Sequence, residues 1–154
     1  MPGPQRGDIY FTDVEHGEHI GREFFGPHWY LVVSINAINN FEEIVIAVPL
    51  TSPNTDSGEP KDKGDFRFFH IRIPEREKLK DSNDGVCVGD SIALTEQIRV
   101  MSVRRFQQPR AAHISDAAMA AVECGIAFVL RIPISPKAPR TDPPQRRLIP
   151  GTPK

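Results

Sequence analysis

The sequence predicts a mainly β domain with one helix, an α+β fold in which a small, strongly bent antiparallel barrel carries a helix at its C-terminal end. Between residues 9 and 103, apolar and β-branched runs are short and closely spaced, with no regular alternation of strands and helices. One amphipathic helix follows them. The chain has 154 residues and 39% hydrophobic content, which is enough for a single core.

The first three predicted strands cover residues 9–14, 30–35 and 43–49. A charged and aromatic loop, residues 22–29, precedes the second strand, and residues 36–40 are predicted as a turn because asparagine tolerates left-handed backbone. The third strand is apolar on both faces, which is typical of a central strand. Later strands are predicted at residues 66–73, 86–88, 91–95 and 96–103.

A long polar loop covers residues 50–65. Loops beyond about 12–15 residues in a compact domain are usually functional or disordered. The helix has Ser115 as its predicted N-cap, with Asp116 at the positive end of the helix dipole. Its apolar face is spaced at helical intervals and Pro133 is expected to stop it. That face consists of Met119, Val122, Ile126 and Val129.

The last 22 residues differ in composition from the rest. Residues 133–154 hold seven of the 15 prolines, and five basic residues against one acidic residue. A segment of this kind cannot pack a core. The sequence therefore predicts one barrel domain over residues 1–132 and a basic, proline-rich, disordered tail over residues 133–154.

Charge and cysteine content restrict the classes of function. With 19 basic and 20 acidic residues the net charge is −1, so any site for a polyanion must come from local clustering. Cys87 and Cys124 are predicted as two buried thiols rather than a disulfide. The N-terminus has no apolar targeting region, and no run approaches the roughly 18 apolar residues of a membrane helix. A cytoplasmic protein without a membrane partner is the expectation.

Four motifs occur in a recognisable order. Gly7 and Asp8 open the first strand, and residues 23–34 read Glu-Phe-Phe-Gly-Pro-His-Trp-Tyr-Leu-Val-Val-Ser. Residues 47–52 read Ala-Val-Pro-Leu-Thr-Ser, and residues 91–99 read Ser-Ile-Ala-Leu-Thr-Glu-Gln-Ile-Arg. With this ordered set the chain resembles the MazF/PemK family of type II toxin–antitoxin toxins, which share a fold with the Kid and CcdB toxins. The resemblance covers residues 7 to about 130.

The resemblance implies an SH3-like barrel that forms a homodimer. It also implies a metal-independent endoribonuclease (an mRNA interferase) that cleaves single-stranded RNA by attack of the 2′-hydroxyl and needs no cofactor. A cognate antitoxin is expected to occupy the RNA groove. Two alternatives stay open: a catalytically inactive or CcdB-like toxin that inhibits DNA gyrase, and a small interaction module.

The candidate catalytic residues are Thr51, His28, Glu23 and Arg22. Thr51 matches the family threonine, and its hydroxyl can donate to a phosphate oxygen. His28 stands where the family has arginine, so it can act as acid or base near pH 7 but cannot clamp a phosphate with a permanent charge. Three readings remain: His28 is the acid or base, Arg22 supplies the missing cation, or the site is inactive or reassigned. Glu23 is a candidate base or a group that orients His28.

The RNA-binding candidates are Phe24, Ser52, Glu96, Gln97 and Arg99. An exposed aromatic such as Phe24 can stack on unpaired bases. Glu96 takes the place of a family aspartate, and Arg99 can reach a phosphate.

Two further groups are weaker candidates. His16 and His19, with Glu15 and Glu18, give only a weak zinc signal, so no metal site is expected. Three arginines could steer RNA. They are Arg104, Arg105 and Arg110.

Overall fold

The computed structural model describes residues 3–14, 20–61, 66–80, 87 and 89–134. Its eight strands are β1 (Asp8–Val14), β2 (Gly26–Val32), β3 (Ile44–Thr51), β4 (His70–Ile73), β5 (Lys78–Lys80), β6 (Ser91–Leu94), β7 (Arg99–Ser102) and β8 (Ala112–Ile114). Its two helices are α1 (Asn36–Phe41) and α2 (Asp116–Val129). Single turns of 3-10 helix lie at Glu75–Glu77, Thr95–Gln97 and Val103–Arg105.

All eight strands belong to one antiparallel sheet in the order β4-β6-β3-β2-β1-β8-β5, with β7 pairing separately with β3. The central strand β3 divides its outer edge between two partners: residues 44–47 pair with β7, while Leu50 and Thr51 pair with β6. The terminal strands β4 and β5 are not hydrogen-bonded to each other, although the chain joins them through Pro74 and one 3-10 turn. The predicted mainly β fold with a C-terminal helix is confirmed, and among the described residues the bent sheet is not closed.

Alternating side chains give the sheet two buried faces. The first face includes Ile9, Leu31, Val48 and Leu50, which form one cluster with Met119 and Val122 of α2. The second face includes Val14, Tyr30, Val32, Val45, Ala47 and Met101, against which Phe24, Val103 and Phe106 pack. The helix therefore covers one face, while two irregular segments cover the other.

The predicted helix and its N-cap are confirmed, but Pro133 is not what stops it. The Ser115 hydroxyl accepts a hydrogen bond from the Ala118 N–H at 3.1 Å, and Asp116 lies in the first turn. At the other end Arg131 has a left-handed φ of 55°, and the Ile132 N–H reaches back to the Ala127 carbonyl at 2.7 Å. This is a Schellman ending, so the helix stops before Pro133 is reached.

Several predicted element bounds are wrong for identifiable reasons. Strand β2 begins at Gly26, so residues 26–29 of the supposed loop lie in the sheet, where β1 supplies their partners. Residues 36–41 form the short helix α1 rather than a turn. Of the strand predicted at residues 66–73 only the last four are extended, and the strand predicted from residue 96 begins at Arg99, after a 3-10 turn.

The two cysteines have different environments. Both are free, and Cys87 is buried, but Cys124 is exposed on α2, which corrects the prediction of two buried thiols. Other predictions lie outside the described residues: the loop with His16 and His19, residues 62–65, most of the strand at 86–88, and the tail from residue 135. No helix in the described part of the chain is long and apolar enough to cross a membrane.

Candidate active site

The register of the sheet brings together two of the four catalytic candidates. Trp29 of β2 lies opposite Leu50 of β3 in an antiparallel pair, so the next position along both strands puts His28 opposite Thr51. Directly opposed residues point to the same face, with Cβ atoms about 4.5–5.5 Å apart. Both side chains are partly exposed. An imidazole and a hydroxyl therefore share one opening at the end of the second face.

His28 is partly buried between its own strand and the preceding loop. Its ring packs against Phe24, with the ring centroids 4.1 Å apart. Burial lowers the pKa of His28, and the positive charge of Lys61 lowers it further, while a hydrogen bond to the backbone of Phe25 and the charge of Asp13 act in the opposite direction. The net shift is downward, so the imidazole is mainly neutral at pH 7.

A neutral imidazole has one N–H donor and one lone-pair acceptor. A backbone group that raises the pKa of His28 is a carbonyl acceptor, so one ring nitrogen donates to Phe25. The other ring nitrogen keeps its lone pair. This side chain is therefore suited to accept a proton, which is the role of a general base.

Thr51 ends β3, and its hydroxyl contacts a lysine that the sequence analysis did not select. Lys61 Nζ donates a hydrogen bond to Thr51 Oγ1 at 3.3 Å. Nine residues of loop separate the two in sequence, and the loop folds back to bring them together. The site therefore holds a hydroxyl, an imidazole and an ammonium group within one opening.

A second positive region lies deeper on the same face. Arg99 of β7 and Arg105 approach the hydroxyl of Tyr30, which is fully buried two residues after His28. Burial raises the pKa of Tyr30, and the two arginines oppose that shift. In the described part of the chain this hydroxyl has no hydrogen bond of good geometry, so the influence of Arg99 on it is electrostatic.

Gln97 fixes the loop that carries two other candidates. Its side-chain oxygen accepts from the Phe24 N–H at 3.2 Å, and its side-chain nitrogen donates to the Arg22 carbonyl at 3.3 Å. Gln97 thus positions the segment that packs on His28. The side chain of Arg22 is exposed, and this backbone bond is what holds the residue in place.

Three candidates are held elsewhere. The Glu23 carboxylate accepts from the Ile20 N–H at 2.8 Å and so stabilises its own turn. Glu96 pairs with His70 Nε2 at 2.8 Å, and the Ser52 hydroxyl accepts from the Asn54 N–H at 3.0 Å. Among the described residues none of these three side chains hydrogen-bonds to His28 or Thr51, and their predicted roles stay predictions.

The predicted arginine group is dispersed. Arg104 lies 3.7 Å from a Glu43 oxygen, and Arg110 pairs with the buried Asp8 at 3.2 Å, while Arg105 faces the second region described above. Within the described ranges no cluster of three or more histidine, cysteine, aspartate or glutamate side chains is arranged to hold a metal ion.

The site residues that sequence reasoning missed are Lys61 and Tyr30. Lys61 lies in a polar loop without periodicity. The only signal in the sequence is a basic residue ten positions after Thr51. Tyr30 belongs to an apolar run, where a tyrosine is expected to fill space. Its burial beside two arginines depends on strand pairing that the sequence pattern does not specify.

Three solved structures share the fold. MazF from Deinococcus radiodurans superposes with a TM-score of 0.61 at 19% identity, covering 84% of this chain and 97% of that one. The MazE–MazF complex of the same organism gives a TM-score of 0.57 at 20% identity, covering 84% and 98%. An endoribonuclease in complex with its cognate antitoxin, from a mycobacterial species, gives 0.53 at 18% identity, covering 88% and 100%. At these identities the likeness establishes the fold alone.

Comparison by sequence supplies the family. No curated protein matches the chain. The model of the family described as PemK-like, MazF-like toxin of type II toxin–antitoxin system matches residues 5–130, which is most of the chain and includes every site residue named above. The chain therefore belongs to the PemK-like, MazF-like toxins of type II toxin–antitoxin systems.

Proposed function

We propose that this toxin is a metal-independent endoribonuclease that cleaves single-stranded RNA. The observation that carries the proposal is the placement of His28 opposite Thr51 on neighbouring strands, at an opening shared with Lys61. Solved relatives with the same fold include proteins described as endoribonucleases. Both the family and the chemistry of the opening support the same class of reaction.

The reaction divides among groups that this chain holds. His28 takes the proton of a ribose 2′-hydroxyl, and the 2′-oxygen attacks the adjacent phosphorus. The bond from phosphorus to the 5′-oxygen breaks, giving a 2′,3′-cyclic phosphate and a 5′-hydroxyl whose proton comes from water. The Thr51 hydroxyl donates a hydrogen bond to a non-bridging phosphate oxygen, which gains negative charge in the transition state. No step requires a metal.

The strand of RNA would follow the positive groups of the second face. Arg99 and Arg105 supply charge there, and Phe24 is partly exposed beside His28, where it can stack on a base. The low net charge of the chain is no obstacle, because the field at a cleft depends on local charges.

Cleavage of a labelled single-stranded RNA by purified protein tests the proposal. His28→Ala and Thr51→Ala should each lower kcat by at least about 100-fold, and EDTA should have no effect. Thr55→Ala is the matched control, since among the described residues the side chain of this exposed loop threonine hydrogen-bonds only to Ser57, and its backbone bonds survive the change. Two results together would replace this proposal with the CcdB-like binding alternative. The wild-type protein would leave RNA intact, and expression of either site variant would still arrest growth.

We also propose a homodimer and an acidic antitoxin as partners. An exposed aromatic group supports the dimer: Phe68 and Phe128 are 73% and 59% exposed, with ring centroids 4.4 Å apart. Apolar surface of this kind is typical of interfaces. Phe128→Asp should convert a dimer to a monomer in sedimentation experiments, and unchanged association would place the interface elsewhere.

Positive charge around Lys61 and Arg99 favours an acidic antitoxin segment, as a solved relative binds its cognate antitoxin.

A further inference from the structure

We propose that Lys61 is the permanent cation of the scissile-phosphate site, with its ammonium group binding a non-bridging oxygen of the phosphate held by Thr51. The assignment rests on the proposed nuclease function and deepens it. It addresses the question that His28 raises, since an imidazole that is mainly neutral at pH 7 gives the bound phosphate no positive charge before proton transfer. A second group has to supply that charge.

The contact between Lys61 and Thr51 carries the inference. Lys61 Nζ lies 3.3 Å from Thr51 Oγ1. A hydroxyl that accepts from an ammonium group has its own hydrogen free to donate in another direction. One phosphate can therefore receive a hydrogen bond from the hydroxyl and an ion pair from the ammonium group at the same time. Lys61 also acts electrostatically on His28, the residue opposite Thr51 on the neighbouring strand.

The loop before Lys61 is folded so that this lysine returns to the end of β3. The Lys61 N–H donates to the Pro53 carbonyl at 2.9 Å, and Asn54 and Pro60 form an isolated antiparallel bridge. Within it the Thr55 N–H donates to the Glu59 carbonyl at 2.7 Å. Backbone bonds therefore position the base of the side chain, and its ammonium group lies 5.8 Å from the ring of Phe66.

Lys61 has no counterion in the part of the chain that the structure describes. Four other described basic residues, Arg6, Arg72, Lys80 and Arg110, each pair with a carboxylate at 3.2 Å or less. Lys61 is partly buried and contacts a hydroxyl instead. A partly desolvated cation without an anion is stabilised when an anionic ligand binds. The local chemistry thus fits a phosphate.

Arg22, the alternative cation, is less suited. Its carbonyl is tied to Gln97, and its side chain is exposed on the loop before β2. Among the described residues no contact links its guanidinium to Thr51 or His28. Variants therefore distinguish the two candidate cations. Replacing Lys61 should lower the rate of RNA cleavage far more than replacing Arg22.

The test compares RNA cleavage by Lys61→Ala, Lys61→Arg, Arg22→Ala and, as control, Arg76→Ala. Arg76 is 80% exposed by side chain and lies on the turn between β4 and β5, so its loss changes net charge equally without touching the site. Lys61→Ala should lower kcat about 100-fold, and Lys61→Arg should recover at least about a tenth of wild-type activity. Arg76→Ala should cleave at the wild-type rate.

Two measurements that need no cleavage accompany the rates. The first is binding of a fully 2′-O-methylated RNA, which cannot be cleaved. The slope of log binding constant against log salt concentration should be smaller in magnitude by about 0.7 in Lys61→Ala, the value for one phosphate contact on a single strand. The NMR titration of His28 should move to higher pH in the same variant, because a neighbouring positive charge is removed.

The outcomes distinguish the two proposals. A wild-type protein that cleaves no RNA overturns the nuclease function and this assignment together. An active wild type with Lys61→Ala within about twofold of it, or with Lys61→Arg as inactive as Lys61→Ala, overturns the role of Lys61 alone. Loss in Lys61→Ala, recovery in Lys61→Arg and a raised His28 titration support the assignment.

Discussion

Gly125 allows α2 to lie directly on the sheet, and replacing it should weaken the fold. A Cβ at this position would lie 2.8 Å from Ile71 Cγ1, 2.9 Å from Thr95 Cγ2 and 3.1 Å from the Phe69 carbonyl oxygen. The carbonyl cannot easily move, because the Thr95 hydroxyl donates to it at 2.6 Å. The helix must shift instead, or the two side chains must leave their rotamers.

The size of the effect follows from two opposed terms. Overpacking a well-packed interface costs about 1–3 kcal/mol. Replacing glycine by alanine inside a helix returns about 1 kcal/mol of helix propensity. Gly125→Ala should therefore lose about 1 kcal/mol in net free energy of unfolding, which corresponds to roughly 3–5 °C in Tm for a domain of this size. The larger Gly125→Val should lose more.

Thermal and urea unfolding monitored by circular dichroism measure the effect. The control is Ala120→Gly on the exposed side of the same helix, which should cost about 1 kcal/mol by propensity alone. A Gly125→Ala protein with a raised Tm would refute the reasoning, since propensity would then outweigh packing. Because Thr95 begins the 3-10 turn that holds Gln97, the proposed nuclease function further predicts a raised KM for RNA in this variant.

Three other changes test separate parts of the structure. If neutral His28 is the base, kcat/KM should rise with pH to a plateau, with its midpoint below the ordinary histidine value of about 6.5 because burial lowers the pKa; a midpoint above that value would contradict the assignment. Gln97→Leu removes two hydrogen bonds to the loop before β2, so trypsin should cut faster after Arg22 while Tm falls by only a few degrees. Ser115→Ala removes the cap of α2 and should cost about 1 kcal/mol in urea unfolding, and an unchanged midpoint would show that the cap is dispensable.

The same shift in His28 has a consequence for stability. The folded protein holds the imidazole in its neutral form, whereas the unfolded chain protonates it near its ordinary pKa. The contribution of the neutral imidazole to the free energy of unfolding is therefore fully present above about pH 6.5. It is lost as the pH falls toward the lower pKa of the folded state. The acid side of the unfolding profile should flatten in His28→Gln.

The parts of the fold that the sequence could predict are those with strong local signals. Residue 115 as a cap and the helical spacing from Met119 define α2, and the apolar run around Val48 defines the central strand. The three-residue strands β5 and β8 are too short for an alternating pattern, and their neighbours in the sheet define them. The same holds for Gly26–Trp29, which is polar and aromatic but extended because β1 lies beside it.

The site divides in the same way. His28 and Thr51 stand in motifs and were predictable, whereas their facing arrangement needed the register of β2 and β3. Glu23 and Glu96 were equally good candidates from the sequence, but in the structure their carboxylates hydrogen-bond to the Ile20 N–H and to His70. Lys61 had no motif at all, because a loop places it through backbone bonds rather than through a repeating pattern.

The sheet order also determines when this toxin can become active during its own synthesis. His28 and Thr51 emerge in the first third of the chain, yet β3 gains its outer neighbours only with β6 and β7, and β1 gains its neighbour only with β8. A nascent chain that ends before Ser91 has only three strands paired with one another, β1, β2 and β3, and lacks α2 over its first face, which is a marginal structure. Translation is thus nearly complete before the sheet that carries the candidate site is assembled.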